Sequence, residues 1–348
     1  MSRLQGKMKA LIKEKPGPGA ALRQVEIPRI GPHDVLVKVI ATSICGTDLH
    51  IYNWDSWAAS RMNLPVIMGH EMAGEIVELG PAVEGYFKGD YVSLECHQAC
   101  GRCYQCRTGQ AHICRDYTIT GVDFDGCFAE YVRVPAANLW LNSRELPPEI
   151  ACLQDPLGNA VLALSSAPLT GKNVLITGCG AIGLFAVGVA RAAGAARVYA
   201  ADINDYRLEI AAQMGAGTVI NPRRESLVKK VHADTAGCGV DIFVEMSGNE
   251  SCLHDGLQAM KNGGHAALLG IPADKVTLDL ANEVVFKGIT LAGITGRKIF
   301  DTWYTTAALL SGVLDIRPVI THRMKLEDYE EAFEIMKAGQ CGKIILYP

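Results

Sequence analysis

The sequence predicts an α/β protein in which a β-rich domain is interrupted by a doubly wound, parallel-sheet domain. Three observations carry this expectation. The length of 348 residues suits about two domains at roughly 150 residues each. Short β-forming runs broken by Gly and Pro fill the chain from Met8 to about Val134. From Leu169 onward, strands alternate with helical stretches instead.

In the first region the runs ALIKE, DVLVKVIAT, GEIVELG, DYVSLE and FAEYVRV read as strands separated by turns. The second region opens with NVLITG (173–178), a helix of small residues from Ala181 to Ala193, and the strand RVYAAD (197–202). Helices follow at 206–214, 225–235 and 250–261, interleaved with the strands GTVIN, VDIFVEM, HAALLG and ITLAGI. Near the C-terminus, Leu326, Tyr329, Phe333 and Met336 recur at three- and four-residue intervals, the stripe of an amphipathic helix, before the strand KIILY. This tail is expected to return to the first domain, with boundaries at 1–155 and 305–348 for the β-rich domain and 156–304 for the insertion.

Composition narrows the function classes. Hydrophobic residues make up 49%, charged residues 20%, and the formal net charge is −4, so no nucleic-acid partner is expected. No run approaches the roughly eighteen apolar residues of a membrane span. The first residues lack a signal-peptide core, so a cytoplasmic location is expected without a membrane partner. Twelve cysteines in such a chain point to metal binding or free thiols, and their spacing decides.

Cys100, Cys103, Cys106 and Cys114 form a C-x2-C-x2-C-x7-C run. Four thiolates on one loop can close a tetrahedron around zinc without an open position, the mark of a structural site. An iron–sulfur cluster also takes four thiolates, but no second cysteine set accompanies this one. Cys96 beside the run reads as a spare thiol, and the remaining cysteines, without ligand spacing, read as small buried hydrophobes.

The stretch CGTDLH (45–50) places a thiol, a hydroxyl, a carboxylate and an imidazole together, and MGHEMAGEIVELG adds His70 and Glu71 beside Gly69, Gly74 and Gly80. Asp155 in LQDPLGNA offers a further carboxylate. Cys, His and carboxylate are all zinc ligands, and a catalytic zinc keeps one position open. The pattern G-H-E-x2-G-x5-G-x2-V, with Cys45 upstream and the four-cysteine run downstream, resembles the zinc-dependent medium-chain dehydrogenase/reductase family along essentially the whole chain. The resemblance implies a GroES-like catalytic domain with an inserted Rossmann domain. It implies that Cys45, His70 and an acidic residue hold a catalytic zinc, with Glu71, Asp155 or a water completing the sphere. Thr47 and His50 match the family's proton relay, a role suited to an imidazole that titrates near neutrality.

VLITGCGAIGLFA carries Gly178, Gly180 and Gly183 as G-x-G-x-x-G, with Ile182 inside the turn. It follows a strand, opens a helix and precedes Asp202 by nineteen residues, the context in which the motif binds a dinucleotide. A carboxylate at Asp202 accepts from ribose hydroxyls and repels a 2′-phosphate, favouring NAD over NADP. Arg207 tempers this, since it could meet a 2′-phosphate, stack on adenine or pair with Asp202.

Longer stretches at Thr42–Arg61, Leu153–Val161 and Gly293–Tyr304 resemble the branch of the family that oxidises the L-threonine β-hydroxyl to 2-amino-3-ketobutyrate. They imply NAD reduction, threonine breakdown toward glycine and a homotetramer. His97 falls where that branch has a histidine near its substrate. Arg297 is assigned to the cofactor, and Trp54 and Trp57 either wall the pocket or pack the loop. Two departures stand out: Asp155 replaces the Glu expected in that branch, and LECHQACG lacks an apolar dipeptide after His97. The alternatives are a polyol or secondary-alcohol dehydrogenase of the same family and a catalytically silent NAD-binding relative. The first would share the motifs, whereas the second would not need Cys45, His70, Glu71, Thr47 and His50. A zinc-free quinone reductase on this fold would lack the cysteine run.

Overall fold

The computed structural model describes residues 4–348. The chain forms two units, one running through Asp155 and resuming at Ile320, the other spanning Pro156–Val319. Among the described residues no helix is long and apolar enough to cross a membrane.

In the first unit the strand Asp34–Ser43 is the organising element. Its run of Val, Leu, Ile and Ala is buried over most of its length, as a central strand requires. One edge pairs antiparallel with Met72–Leu79. The other edge is shared: Asp34–Lys38 pair with Tyr131–Pro135, while Thr42 and Ser43 pair with Leu346 and Ile345. The strand Lys343–Tyr347 therefore returns to the β-rich unit, as the tail of the sequence suggested, and brings the parallel strand Ile320–Lys325 with it.

Among the helices not foreseen are two short ones after the central strand. Helix α1 (Gly46–Asn53) and helix α2 (Ser56–Arg61) follow the central strand directly. The stretch GTDLHIYN has little amphipathic periodicity, so its helix is held by its ends and its neighbours. At the N-terminus Asp48 accepts from the Cys45 amide at 2.9 Å, one half of a capping box. At the other end the buried Lys13 ammonium donates to the carbonyls of Gly17, of Gly19 at 2.7 Å and of Tyr52 at 3.4 Å. It also lies 5.3 Å from the Trp54 ring, and burial pushes its pKa down to about 8. A cation at that position complements the helix dipole.

Beneath α1, Ile44, Ile51 and Tyr52 share a core with Leu326, Tyr329, Phe333, Ile344 and Leu346 from the returning segment. The predicted amphipathic stripe is thus spent on this core: a 3-10 turn at Leu326–Asp328 leads into the helix Tyr329–Lys337. Phe333 stacks on Tyr52 with centroids 4.1 Å apart and planes inclined by 15°.

The second unit carries six strands among the described residues, all parallel, in the order 218–220, 197–201, 173–177, 240–245, 260–268, 290–293. This is the doubly wound order with a crossover beside the first strand. Each strand and helix expected between 173 and 293 is present, with boundaries shifted by a few residues. The expected return at 305 is corrected to 320. The reason lies in packing: the helix Asp301–Leu310 is followed by Leu314, whose side chain meets Gly188, and by the turn Arg317–Val319 against the helix Ala181–Ala192. The segment 305–319 therefore stays with the parallel sheet.

Replacing Phe333 by Ala removes a fully buried ring and should cost about 3–5 kcal/mol, read as a lower guanidinium midpoint than the parent protein.

Candidate active site and metal centres

The central strand and the strand after it bring the first cluster together. Cys45 follows the former by two residues as the N-cap of α1, and His70 and Glu71 lie just before Met72. Gly69 makes that approach possible: its φ is +89°, and a Cβ there would stand 2.2 Å from Phe128 Cδ1. Ligand atoms of Cys45, His70 and Glu71 all lie within 4.8 Å of one another. His70 and Glu71 are buried, with relative exposures of 5% and 1%.

Asp48, fully buried, completes this site from behind. One oxygen locks the Cys45 amide, and the other faces His70 Nδ1 at 3.6 Å. That oxygen and His70 Nδ1 are both buried without a hydrogen-bond partner. Burial disfavours the imidazolium, but Asp48, Cys45 and Glu71 together outweigh it and raise the His70 pKa to about 10. A pocket of soft and anionic donors that draws positive charge this strongly fits a divalent cation such as zinc.

Glu71 has a second partner that sequence reading missed. Its Oε2 accepts from the Ser43 hydroxyl and from the Lys343 ammonium, and Lys343 also donates to the Ile44 carbonyl at 3.0 Å. Burial opposes the charge on Lys343, yet the Glu71 carboxylate beside it holds its pKa above the usual lysine range. The only signal in the sequence was a lone Lys at the head of a hydrophobic strand, 272 residues from its partner.

Asp155 is not gathered with Cys45, His70 and Glu71. It is buried and accepts from the Cys96 amide at 3.3 Å. Around that amide a separate group forms, in which Glu95, Cys96 and His97 bring their ligand atoms within 4.8 Å of one another. Glu95 Oε1 accepts from the His97 amide at 2.9 Å and lies 3.2 Å from its Nδ1. Asn138 ties the carbonyls of Glu95 and His97, each at 2.8 Å. Cys96, read as a spare thiol, stands 3.5 Å from the His97 ring nitrogen.

Thr47 and His50 lie three residues apart in α1, a spacing that puts them on one face. Thr47 is half-buried and His50 exposed. Trp54 packs against the core beneath α1 and over Lys13, whereas Trp57 stands beside the His50 ring, centroids 6.2 Å apart.

The four-cysteine run folds around the short helix Tyr104–Arg107 and the turn Ala111–Ile113. All four sulfurs lie within 4.8 Å of one another, Cys103 at 3.4 Å from Cys106 and 3.8 Å from Cys114. Sulfurs in a zinc tetrahedron with about 2.3 Å bonds stand roughly 3.8 Å apart, so the lobe is shaped for that ion. Backbone N–H groups of Cys106 and Arg115 lower the Cys103 pKa to about 6, while burial and the neighbouring thiols raise Cys106 to about 12.

In the second unit the three motif glycines have separate roles. Gly178 has φ +85° and a Cβ there would meet the Ser247 amide at 2.7 Å. Gly183 packs the helix on the strand so closely that a Cβ would lie 1.9 Å from the Gly178 carbonyl. Gly180, the N-cap, faces open space, which leaves the backbone approachable for a pyrophosphate at the helix N-terminus, with Ile182 in the first turn. Asp202 accepts from the amides of Cys179 at 2.7 Å and Asn204 at 2.9 Å, so its carboxylate is fixed at the end of its strand. Arg207 occupies the first turn of the following helix. Arg297 is buried, bonded to Asn159 at 3.2 Å and packed against Gly158.

Residues 31–144 match the alcohol dehydrogenase GroES-like domain, and residues 181–312 match the zinc-binding dehydrogenase model. An L-threonine 3-dehydrogenase from Pyrococcus horikoshii is 54% identical over 97% of this chain and 98% of its own. A zinc-binding dehydrogenase from Sinorhizobium meliloti, bound to NADP, superposes with a TM-score of 0.92 at 30% identity, covering 99% of this chain and all of its own. The 2R,3R-butanediol dehydrogenase of Bacillus subtilis superposes at 0.89 with 29% identity, covering 98% and 99%.

Substituting Lys343 by Met strands a buried carboxylate and should destabilise the protein by about 3–5 kcal/mol. Adding Glu71→Gln to that variant should return part of the loss, measured by chemical unfolding of the single and double variants.

Proposed function

Since the chain belongs to the zinc-dependent medium-chain dehydrogenase family, we propose that it oxidises the β-hydroxyl of L-threonine to 2-amino-3-ketobutyrate with NAD. What carries this reading is the 54% identity to a threonine dehydrogenase along 97% of the chain, against 29% for the butanediol dehydrogenase. The reading includes a place in threonine breakdown toward glycine, a cytoplasmic location and a homotetramer.

Cys45 and His70, with a carboxylate oxygen of Glu71, would hold the catalytic zinc, and Cys100, Cys103, Cys106 and Cys114 a structural one. When bound, the catalytic ion would polarise the substrate hydroxyl and NAD would take up the hydride from the threonine β-carbon. The protein residues do the rest. Asp48 orients His70 and fixes the N-cap that presents Cys45. Lys343 and Ser43 engage one oxygen of Glu71, which sets the orientation of its carboxylate. Thr47 Oγ and the His50 imidazole carry the hydroxyl proton outward, and the exposure of His50 gives that proton an exit to water. Asp155 and His97, linked through the amide of Cys96 and the loop around Glu95, form a polar wall rather than joining the three donors. Gly178, Gly180 and Gly183 would admit the pyrophosphate of NAD, Asp202 would accept from the adenosine ribose, and Arg207 and Arg297 would flank the cofactor.

Initial rates of NADH formation on zinc-loaded protein should favour L-threonine over D-threonine, 2,3-butanediol and sorbitol. Activity confined to the diol or polyol would move the substrate assignment to a sister branch. NAD should outperform NADP because of Asp202. Cys45→Ser and His70→Ala should each lose nearly all turnover while leaving NADH binding intact by fluorescence titration. Turnover at the parental rate in either variant would refute the mechanism.

A further inference from the structure

A third side chain stands against the proton relay. We propose that Asp55 is a positioning residue that fixes the His50 imidazole with its Nδ1–H turned to the carboxylate, leaving Nε2 to accept the proton. The inference rests on the reading of Thr47 and His50 as a relay.

The geometry begins with Trp54, whose left-handed backbone (φ 58°) ends α1 and turns the chain back on itself. The Asp55 amide thereby donates to the His50 carbonyl at 3.3 Å, and Asp55 Oδ2 comes within 2.5 Å of His50 Nδ1. The other oxygen is occupied: Oδ1 accepts from the Ala58 amide at 3.0 Å as the N-cap of α2. The carboxylate is therefore clamped between two helices, with neither oxygen free to rotate away from the ring. The Ala58 N–H and the imidazole, against some burial, keep the Asp55 carboxyl below the usual carboxylate range. An ionised carboxylate only accepts hydrogen bonds, so the ring nitrogen facing it carries the hydrogen.

Among the described residues Asp55 is the one charged group within ion-pair distance of His50. Asp48, on the same helix, turns inward to His70, and the Trp57 ring meets the imidazole edge-on. The pair is open to water, the side chains being 60% and 38% exposed, which suits the outer end of a relay better than an inner one. The proton balance is simple. As the substrate hydroxyl passes its proton through Thr47 Oγ, Nε2 binds a proton and the imidazolium forms against Asp55. One proton then leaves the exposed ring to water, and Asp55 stays ionised throughout. The arrangement follows the logic by which a buried aspartate orients the histidine of hydrolytic triads, here on a surface where solvent screens part of the charge.

Asp55→Asn separates the two functions of the residue, because Asn caps a helix about as well as Asp but carries no charge. Zinc content, NADH affinity and melting temperature should stay at parental values. The kcat for L-threonine should fall about tenfold or more with KM little changed. In 15N–1H long-range spectra, the histidine signal missing from His50→Ala should report an Nδ1–H tautomer in the parent and lose it in Asp55→Asn. Parental kcat and tautomer in Asp55→Asn, with His50→Ala slow, would leave the relay standing and reduce Asp55 to a helix cap. A loss of kcat that merely tracks a lower melting temperature would overturn the proposal in the same way. Parental turnover in His50→Ala would instead remove the relay itself, and this inference with it.

Discussion

The buried pair of Glu71 and Lys343 is the interaction on which the first unit depends. Both side chains are almost wholly excluded from water, and neither charge would be tolerable there alone. Lys343 can reach Glu71 only if the strand Lys343–Tyr347 lies against Thr42 and Ser43, and Glu71 can receive it only if His70 and Glu71 enter the strand Met72–Leu79 beside the same residues. The pair thus fixes the register of the returning strand against the central one, and that register sets where Cys45 ends up. The stability of the fold and the geometry of the metal donors share one electrostatic contact.

Helix α1 translates that register into chemistry. It is too short and too polar to hold itself, so each end is fastened separately: Asp48 at the first turn, Lys13 at the last. Phe333 under Tyr52 sets its height above the sheet. A helix clamped at three points presents Cys45, Thr47 and His50 in one fixed orientation, and the backbone reversal at Trp54 begins the loop that carries Asp55. The four-cysteine lobe follows the opposite strategy, with all its donors drawn from fifteen consecutive residues and positioned by one turn of helix and one tight turn.

This difference explains what could be read in the sequence. Cys100, Cys103, Cys106 and Cys114 and the turn Gly178, Gly180 and Gly183 are local, so their spacing alone encodes their geometry, and the alternation of strands and helices from 173 to 293 was legible for the same reason. Cys45, His70 and Glu71 were legible through short motifs, though nothing in those motifs located their supporting groups. Lys343 acts through a contact set by tertiary pairing, and a single charged residue in a strand carries no mark of its partner, whereas Asp48 lies within the CGTDLH motif but its approach to His70 is set by the fold. Asp155 was grouped with the metal donors from residue type, and its spacing gave no sign that one of its oxygens accepts from an amide 59 residues away in sequence. The end of the insertion at 319 was equally hidden, because the helix Asp301–Leu310 and the turn after it could have packed on either unit by composition.

The position of Lys343 also dictates the order of events during synthesis. A ribosome delivers Cys45, His70 and Glu71 long before residue 343, with the whole of Pro156–Val319 made in between. The second unit is continuous in the chain and can complete its sheet as soon as it emerges. The first cannot: until the returning strand arrives, the central strand has a vacant edge at Thr42 and Ser43, and Glu71 lacks its cation. Cys45, His70 and Glu71 therefore lack this part of their support until the whole insertion has been made, whereas the four-cysteine lobe draws every donor from its own short segment.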